Sequence, residues 1–358
     1  SRICQKMSDT RLKTNFCELT GVKYPIVQTG MGWVAGPNLV AATCRAGALG
    51  ILAAATLTFE EMVKAIEEIK NNTDNPFGVN LRTDALDIDS RIEHLIDSQV
   101  PVASFAQAPT QRIVERLKEA GVIVIPTVGA ARHAEKVAEL GVDAVIAQGS
   151  EGGGHTGVIP TSLLIPQVID SVEIPVIAAG GFTDGRGLAA ALAWGASGVA
   201  MGTRFLLTSE SDVPENVKNV YLATSSTQTV VTKAIDGAPQ RVISNKMVER
   251  LEKARLLAFP IALLNALRFR RLSGTTFKSL ITEGLRMKKT QKLTWSQLAL
   301  AANAPMLTKA TMVDGHLEVG ILPPGQGVGS INELPASEEL VKRIIEEATN
   351  SLDRFGKS

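Results

Sequence analysis

Only four histidines occur in these 358 residues, and one of them, His155, follows three consecutive glycines in the stretch EGGGHTG (151–157). Imidazole titrates near neutral pH and is the side chain most often used as a general base. A loop made of Gly152, Gly153 and Gly154 has no side chains to pack and reads as too flexible for core. A histidine there is therefore expected to face a ligand, with the glycines letting something flat come close to the backbone. His94 and His133 fall among charged residues of helical stretches and read as solvated. His316 opens the Gly/Pro-rich segment HLEVGILPPGQGVGSI (316–331), which has no assigned role.

A second set of residues suits anion binding. AAGGFTDGRG (178–187) and AMGTRF (200–205) each set glycine between an apolar run and a helix start: Gly180 and Gly181 in one, Gly202 with Thr203 in the other. Backbone N–H groups without an intervening Cβ, aided by the helix dipole, cradle phosphate. Two amides, Asn80 and Gln148, end other apolar runs and offer both donors and acceptors to a heterocycle edge. TGMGWVAG (29–36) places Thr29, Gly30, Met31 and Trp33 after the first run. A phosphate corner and a glycine wall facing amides suit flavin mononucleotide (FMN). No HxxxH or CxxC spacing points to a metal. Of the cysteines, Cys4, Cys17 and Cys44, none follows the sixth run, where barrel dehydrogenases with a catalytic cysteine carry it.

These residues need a scaffold that gathers strand ends. Eight apolar runs rich in Val, Ile and Ala recur: PIVQTG (25–30), LGILAAA (49–55), FGVNL (77–81), VPVASFA (100–106), VIVIPTV (122–128), AVIAQG (144–149), PVIAAGG (175–181) and GVAMGTRFL (198–206). They lack polar alternation, as strands buried on both faces do. Stretches such as FEEMVKAIEEIKN and TQRIVERLKEAG lie between them, with apolar residues at helical spacing. The order implies an α/β (β/α)8 TIM barrel, whose active site lies at the C-terminal strand ends; an open doubly wound sheet is the alternative. After Phe205 the beat stops. Residues 215–305 read as a helical substrate or lid lobe, and 7–214 with 306–358 as the barrel. Residues 1–6 read as preceding a native start at Met7.

Composition sets the class. Hydrophobic residues make up 45% and charged residues 20% of the chain, ordinary for a globular enzyme. No apolar run is long enough to span a bilayer, and three cysteines imply neither a disulfide framework nor a zinc cluster; a cytoplasmic protein is expected. Residues 241–290 hold 12 Lys/Arg against 3 Asp/Glu, so that stretch is +9 while the remainder is −8. Arg268, Arg270, Arg271, Lys288 and Lys289 form clusters there that suit substrate phosphates. A solvated face or a homodimer interface is the alternative. No aromatic platform is interleaved with them, so nucleic acid is not expected.

The chain resembles the nitronate monooxygenase family of FMN-dependent barrels. The resemblance runs from about Thr14 to the final helix and rests on PIVQTGMGWVAG, QGSEGGGHTG and AAGGFTDGRGLAAALAWGASGVAMGTRF. It implies that FMN is held by Thr29, Gly30, Met31, Asn80, Thr127, Gln148, Gly180, Gly181, Gly202 and Thr203, with Gly153 and Gly154 beside it. It implies His155 as the catalytic base or substrate-orienting group; Trp33, after the first run, is a candidate substrate contact. Some members carry lysine near the position of Thr127; its absence here removes one positive charge beside the cofactor. The activity implied is oxidation of an alkyl nitronate, with oxygen or another electron acceptor completing the turnover. VQTGMGWVAG, LRFRRLSGTTFKSL and LTWSQLALAANAPM look like the subgroup of flavin oxidoreductases in bacterial steroid-ring degradation, which act on coenzyme A thioesters. That is the alternative reading, with an enoyl-thioester reductase-like enzyme a further one and a non-enzymatic phosphate-binding barrel or scaffold the last. Use of NAD(P)H is not specified by any motif.

Overall fold

The structure is a computed structural model that describes residues 10–253 and 295–356. All eight apolar runs are strands of one closed parallel barrel: β1 (Ile26–Gln28), β2 (Leu49–Ala53), β3 (Phe77–Leu81), β4 (Val102–Phe105), β5 (Ile123–Val128), β6 (Val145–Gln148), β8 (Val176–Ala179) and β9 (Gly198–Met201). Pairing of β1 with β9 closes it, in the register Val27↔Ala200. The two-residue strand β7 (Gly154–His155) lies outside the barrel. The strands alternate with α2 (Pro37–Arg45), α3 (Phe59–Asn72), α4 (Ile88–Asp97), α5 (Gln111–Glu119), α6 (Ala131–Glu139), α7 (Thr161–Ser171), α8 (Gly185–Ala193) and the short α9 (Thr203–Leu206), after an opening α1 (Asn15–Thr20). The barrel expectation is met and the open sheet is excluded.

Two apolar clusters explain why the runs show no polar alternation. Val27, Ile51, Val102, Ile125, Ile146, Ile177 and Ala200 share one cluster with Phe16, Cys17 and Val22, which precede β1 and plug the barrel interior. Their strand neighbours Ile26, Leu52, Ala103, Val124, Val145, Ala178 and Val199 pack outward against helix residues such as Met62, Ile66 and Leu164. Successive strand residues point to opposite faces, and here both faces are covered. Burying each Val, Ile or Leu contributes roughly 1.5–3 kcal/mol. The same alternation carries Thr29, Asn80, Ser104, Thr127 and Gln148 onto the inward face, one layer above the apolar interior.

Local signals end the helices. Thr58 and Glu61 form a reciprocal capping box at the start of α3. Thr110 caps α5, whose chain turns away at Gly121 with φ +76°.

The stretch read as a helical lobe also contains strands. α10 (Glu215–Leu222) is followed by a hairpin of β10 (Thr229–Thr232) and β11 (Gln240–Ile243), then α11 (Lys246–Lys253). These strands are only four residues long, too short for a clear period. β11 pairs antiparallel with β10 on one side and with β7 on the other, a three-stranded sheet over the barrel mouth. Arg268, Arg270, Arg271, Lys288 and Lys289 lie outside the described residues. α12 (Trp295–Met312) runs through the expected boundary at 305–306, and α13 (Ser337–Gly356) closes the chain. Among the described residues no helix is long and apolar enough to cross a membrane.

Candidate active site

A cleft of about 800 Å³ opens at the C-terminal ends of the barrel strands. Thr29, Gly30, Met31, Trp33, Asn80, Gln148, Gly153, Gly154, His155, Gly180, Gly181, Gly202 and Thr203 all line it. Thr127 points inward from β5 but is not among its lining residues.

One end of the cleft is built of glycines that no other residue replaces easily. Gly180 and Gly181 have φ of +102° and +81°, and a Cβ on Gly180 would stand 2.9 Å from Thr161 Oγ1 and 3.0 Å from the Gly149 carbonyl oxygen. Gly202 precedes α9, and a Cβ there would stand 3.2 Å from Thr29 Oγ1. The Gly325 N–H donates to Thr203 Oγ1 at 2.8 Å. Pro323, Gly325 and Gly327 also line the cleft, so the return segment 316–331 forms one of its walls. Its density of Gly and Pro was the only trace of this in the sequence.

The floor is polar. Asn80 is 9% exposed, and its Nδ2 donates to Ser104 Oγ at 3.4 Å. Gly30 lets the chain leave β1 across it, since a Cβ would stand 2.6 Å from Asn80 Cβ. Gln148 Nε2 donates to the His155 carbonyl at 3.0 Å, so one of its two donors holds the histidine loop. Trp33 has φ +63°, left-handed backbone that costs a non-glycine residue of order 1–3 kcal/mol.

The histidine loop is not loose. Gly152 packs on the Gln148 amide and Gly153 on the Pro323 carbonyl and Gly325 N–H, with no space for a Cβ at either. Gly154, at φ +65°, has open space. The three glycines thus serve close packing twice and backbone conformation once. β7 pairs with β11 in the register Gly154↔Arg241 and His155↔Gln240. Buried Arg241 reaches back to the Ser150 carbonyl from Nη2 at 2.9 Å and to Thr229 Oγ1 from Nη1 at 2.9 Å. Burial pushes its guanidinium pKa down, against the opposing charge of Glu151.

His155 has a partner that the sequence reading did not find. Its Nε2 lies 2.6 Å from Asp236 Oδ2, with the imidazole side chain 65% exposed and the carboxylate 11%. Gln240 Nε2 donates to the same oxygen at 2.6 Å, and the Ala238 N–H donates to Oδ1 at 3.0 Å. Burial pushes the Asp236 pKa up, but the hydrogen bond and charge of His155, with the other two donors, outweigh it and hold the carboxyl below its usual range. Asp236 stands in the loop that joins β10 to β11, and Gln240 is the first residue of β11; the Asp-Gly pair at 236–237 was the available signal. Cys44 sits buried on α2 with its thiol pushed up to about 12 by burial, which makes it a poor nucleophile.

The model of the nitronate monooxygenase family matches residues 13–91 and 83–347. A (3aS,4S,5R,7aS)-5-hydroxy-7a-methyl-1-oxo-octahydro-1H-indene-4-carboxyl-CoA dehydrogenase of Mycobacterium tuberculosis is 56% identical over 96% of this chain and 98% of its own. Its namesake in Rhodococcus jostii is 53% identical with the same coverage. A probable nitronate monooxygenase of Staphylococcus saprophyticus is 35% identical over 72% of this chain and 87% of its own. Among solved structures, FabK from Thermotoga maritima superposes with a TM-score of 0.80 at 33% identity, covering 96% of this chain and 98% of that one.

Proposed function

The chain belongs to the nitronate monooxygenase family, and from that premise we propose that it is an FMN-dependent dehydrogenase of a coenzyme A thioester in steroid-ring breakdown. The observation that carries this reading is His155 facing the same cleft as the glycine end built from Gly180, Gly181 and Gly202. The choice of substrate follows the two relatives above 50% identity, which act by name on a carboxyl-CoA. The nitronate reading rests on the more distant relative. The +9 charge of residues 241–290 favours a phosphate-bearing carrier and has no use with a small nitronate.

The residues fit the cofactor. Gly180, Gly181, Gly202 and Thr203 would hold the FMN phosphate, Gly180 and Gly181 in left-handed backbone and Gly180 and Gly202 where a Cβ would crowd its neighbours. Thr29, Asn80 and Gln148 would meet its ring. Bound there, FMN supplies a two-electron acceptor. His155 removes a proton from the substrate. In a thioester the acidic C–H lies next to the carbonyl; with that proton on His155, the hydride of the adjacent carbon would pass to the bound flavin, and the dehydrogenation places a double bond in conjugation with the carbonyl. The strained turn at Trp33 and the apolar wall of Leu206, Pro305 and Met312 line the space left for the hydrocarbon rings.

The test is anaerobic mixing of the yellow holoenzyme with a bicyclic carboxyl-CoA and, separately, with an alkyl nitronate, following the flavin band. Bleaching by the thioester alone is the expected result; bleaching by the nitronate alone would reverse the assignment. Protein that takes up no FMN would overturn the cofactor assignment. His155→Ala should keep the flavin and lose about 10²- to 10⁴-fold in kcat. Arg270→Glu combined with Arg271→Glu should raise KM for the thioester roughly 10- to 100-fold with flavin content unchanged.

A further inference from the structure

We infer that Asp236, assisted by Gln240, is the positioning residue of His155, holding its ring as the Nε2–H tautomer so that Nδ1 is the atom that accepts the substrate proton. The inference rests on the reading of His155 as base, but its geometry stands by itself. Two donors reach the carboxyl group independently of the ring, Gln240 Nε2 on Oδ2 and the Ala238 N–H on Oδ1, and His155 Nε2 lies 2.6 Å from Oδ2. Both oxygens are occupied as acceptors, so the group is a carboxylate with no proton to give to the ring. The Nε2 of His155 must then carry the proton of that 2.6 Å bond. Gln240 Nε2 also lies 3.2 Å from His155 Nε2. Two donors cannot bond each other, and this spacing is the base of a triangle whose apex is Asp236 Oδ2.

The buried partner sets the exposed one. Asp236 has 11% of its side chain exposed against 65% for His155, and it sits in the hairpin turn between β10 and β11. Gln240 is the register partner of His155 across β7 and β11, so backbone pairing and side-chain bonding impose the same placement. Among the described residues, Gln148, on the barrel side, bonds the His155 carbonyl and leaves the ring to Asp236. With Nε2 committed, the lone pair of the neutral ring is on Nδ1. An orienting carboxylate of this kind acts through tautomer and direction rather than by taking the proton itself.

The experiment reads the tautomer directly. Holoenzyme labelled with ¹⁵N-histidine is compared with the Asp236→Asn holoenzyme by the ¹⁵N shifts of the His155 ring at alkaline pH, His155→Ala supplying the assignment. A protonated Nε2 in the wild type, and a mixed or Nδ1–H ring in the variant, is the expected result. Turnover of the thioester should fall about 10²-fold or more in kcat, with KM and flavin content held, and Asp236→Glu should regain part of it. Gln240→Leu, which leaves the carboxylate in place, should cost less. An Nδ1–H ring in the wild type would overturn the inference, and does so even if Asp236→Asn fails to fold. An unchanged tautomer in Asp236→Asn, with kcat within about twofold, would overturn it too. Full activity in His155→Ala would instead sink the reading of His155 as base, whatever tautomer the wild type holds.

Discussion

At Gly180 the backbone has φ +102°, and the nearest neighbours of an added Cβ are Thr161 Oγ1 at 2.9 Å and the Gly149 carbonyl oxygen at 3.0 Å. Gly121 has φ +76° with nothing within 4 Å. The two separate conformational cost from crowding. Gly121→Ala should lose about 1 kcal/mol, the left-handed penalty alone. Gly180→Ala should lose more, about 2–3 kcal/mol, since neither neighbour yields without breaking a bond: Thr161 Oγ1 is tied to Glu151 Oε2 at 2.7 Å and to the Gly180 carbonyl at 3.0 Å. Urea unfolding of both variants tests this, and equal losses would refute it. Flavin content should drop only in Gly180→Ala.

At the scale of elements, the helix that follows the glycine end depends on its cap. Asp184 accepts from the Arg186 N–H at 2.9 Å and the Gly187 N–H at 3.3 Å at the start of α8. Burial pushes the Asp184 pKa up, but the Arg186 side chain and these N–H groups outweigh it and leave the carboxyl below its ordinary 3.8. A depressed folded value means that the capping stability is fully present above that ordinary value and lost as pH falls through the folded one. Asp184→Ala should therefore cost about 1 kcal/mol at neutral pH, and the gap to wild type should narrow as pH falls from the ordinary 3.8 through the depressed folded value. A gap independent of pH would count against the carboxylate. On the other side of the cleft, Arg241→Met strips the Ser150 carbonyl of its donors, at a cost of about 1–3 kcal/mol. Faster amide hydrogen exchange confined to residues 150–155 is the expected sign that β11 holds the histidine loop.

At the scale of the whole molecule, two couplings follow. A ligand that binds only the folded state stabilises it by mass action, so FMN at 100 times its Kd should add about 2.7 kcal/mol and raise the Tm of the apoprotein. The charge split of +9 in residues 241–290 against −8 elsewhere should make thioester binding depend on salt. Screening acts over about 10 Å at 0.1 M. KM for a CoA thioester should rise with ionic strength, while KM for the pantetheine thioester, which lacks the nucleotide phosphates, should stay level. A flat salt profile for both would remove the basic stretch from carrier binding.

Much of this molecule was legible in local pattern. Strands buried on both faces write themselves as unbroken apolar runs, so the eight runs already implied the barrel. Asn80, Gln148, Gly180, Gly181 and Gly202 stood out because each sits where such a run ends, and strand ends are where a barrel gathers its chemistry. His155 showed itself by its glycines, though two of them proved to be close packing rather than freedom to move. The rest depended on contacts that leave no periodic trace. Asp236 reaches His155 across 81 residues of chain through two four-residue strands, and the 323–327 turn returns to the cleft from beyond α12. Thr127 has the inward parity of its strand, yet the cleft does not extend to it. Periodicity along the chain tells which way a side chain points; which distant residue it meets there is settled only by the closure of the barrel and by the hairpin laid over its mouth.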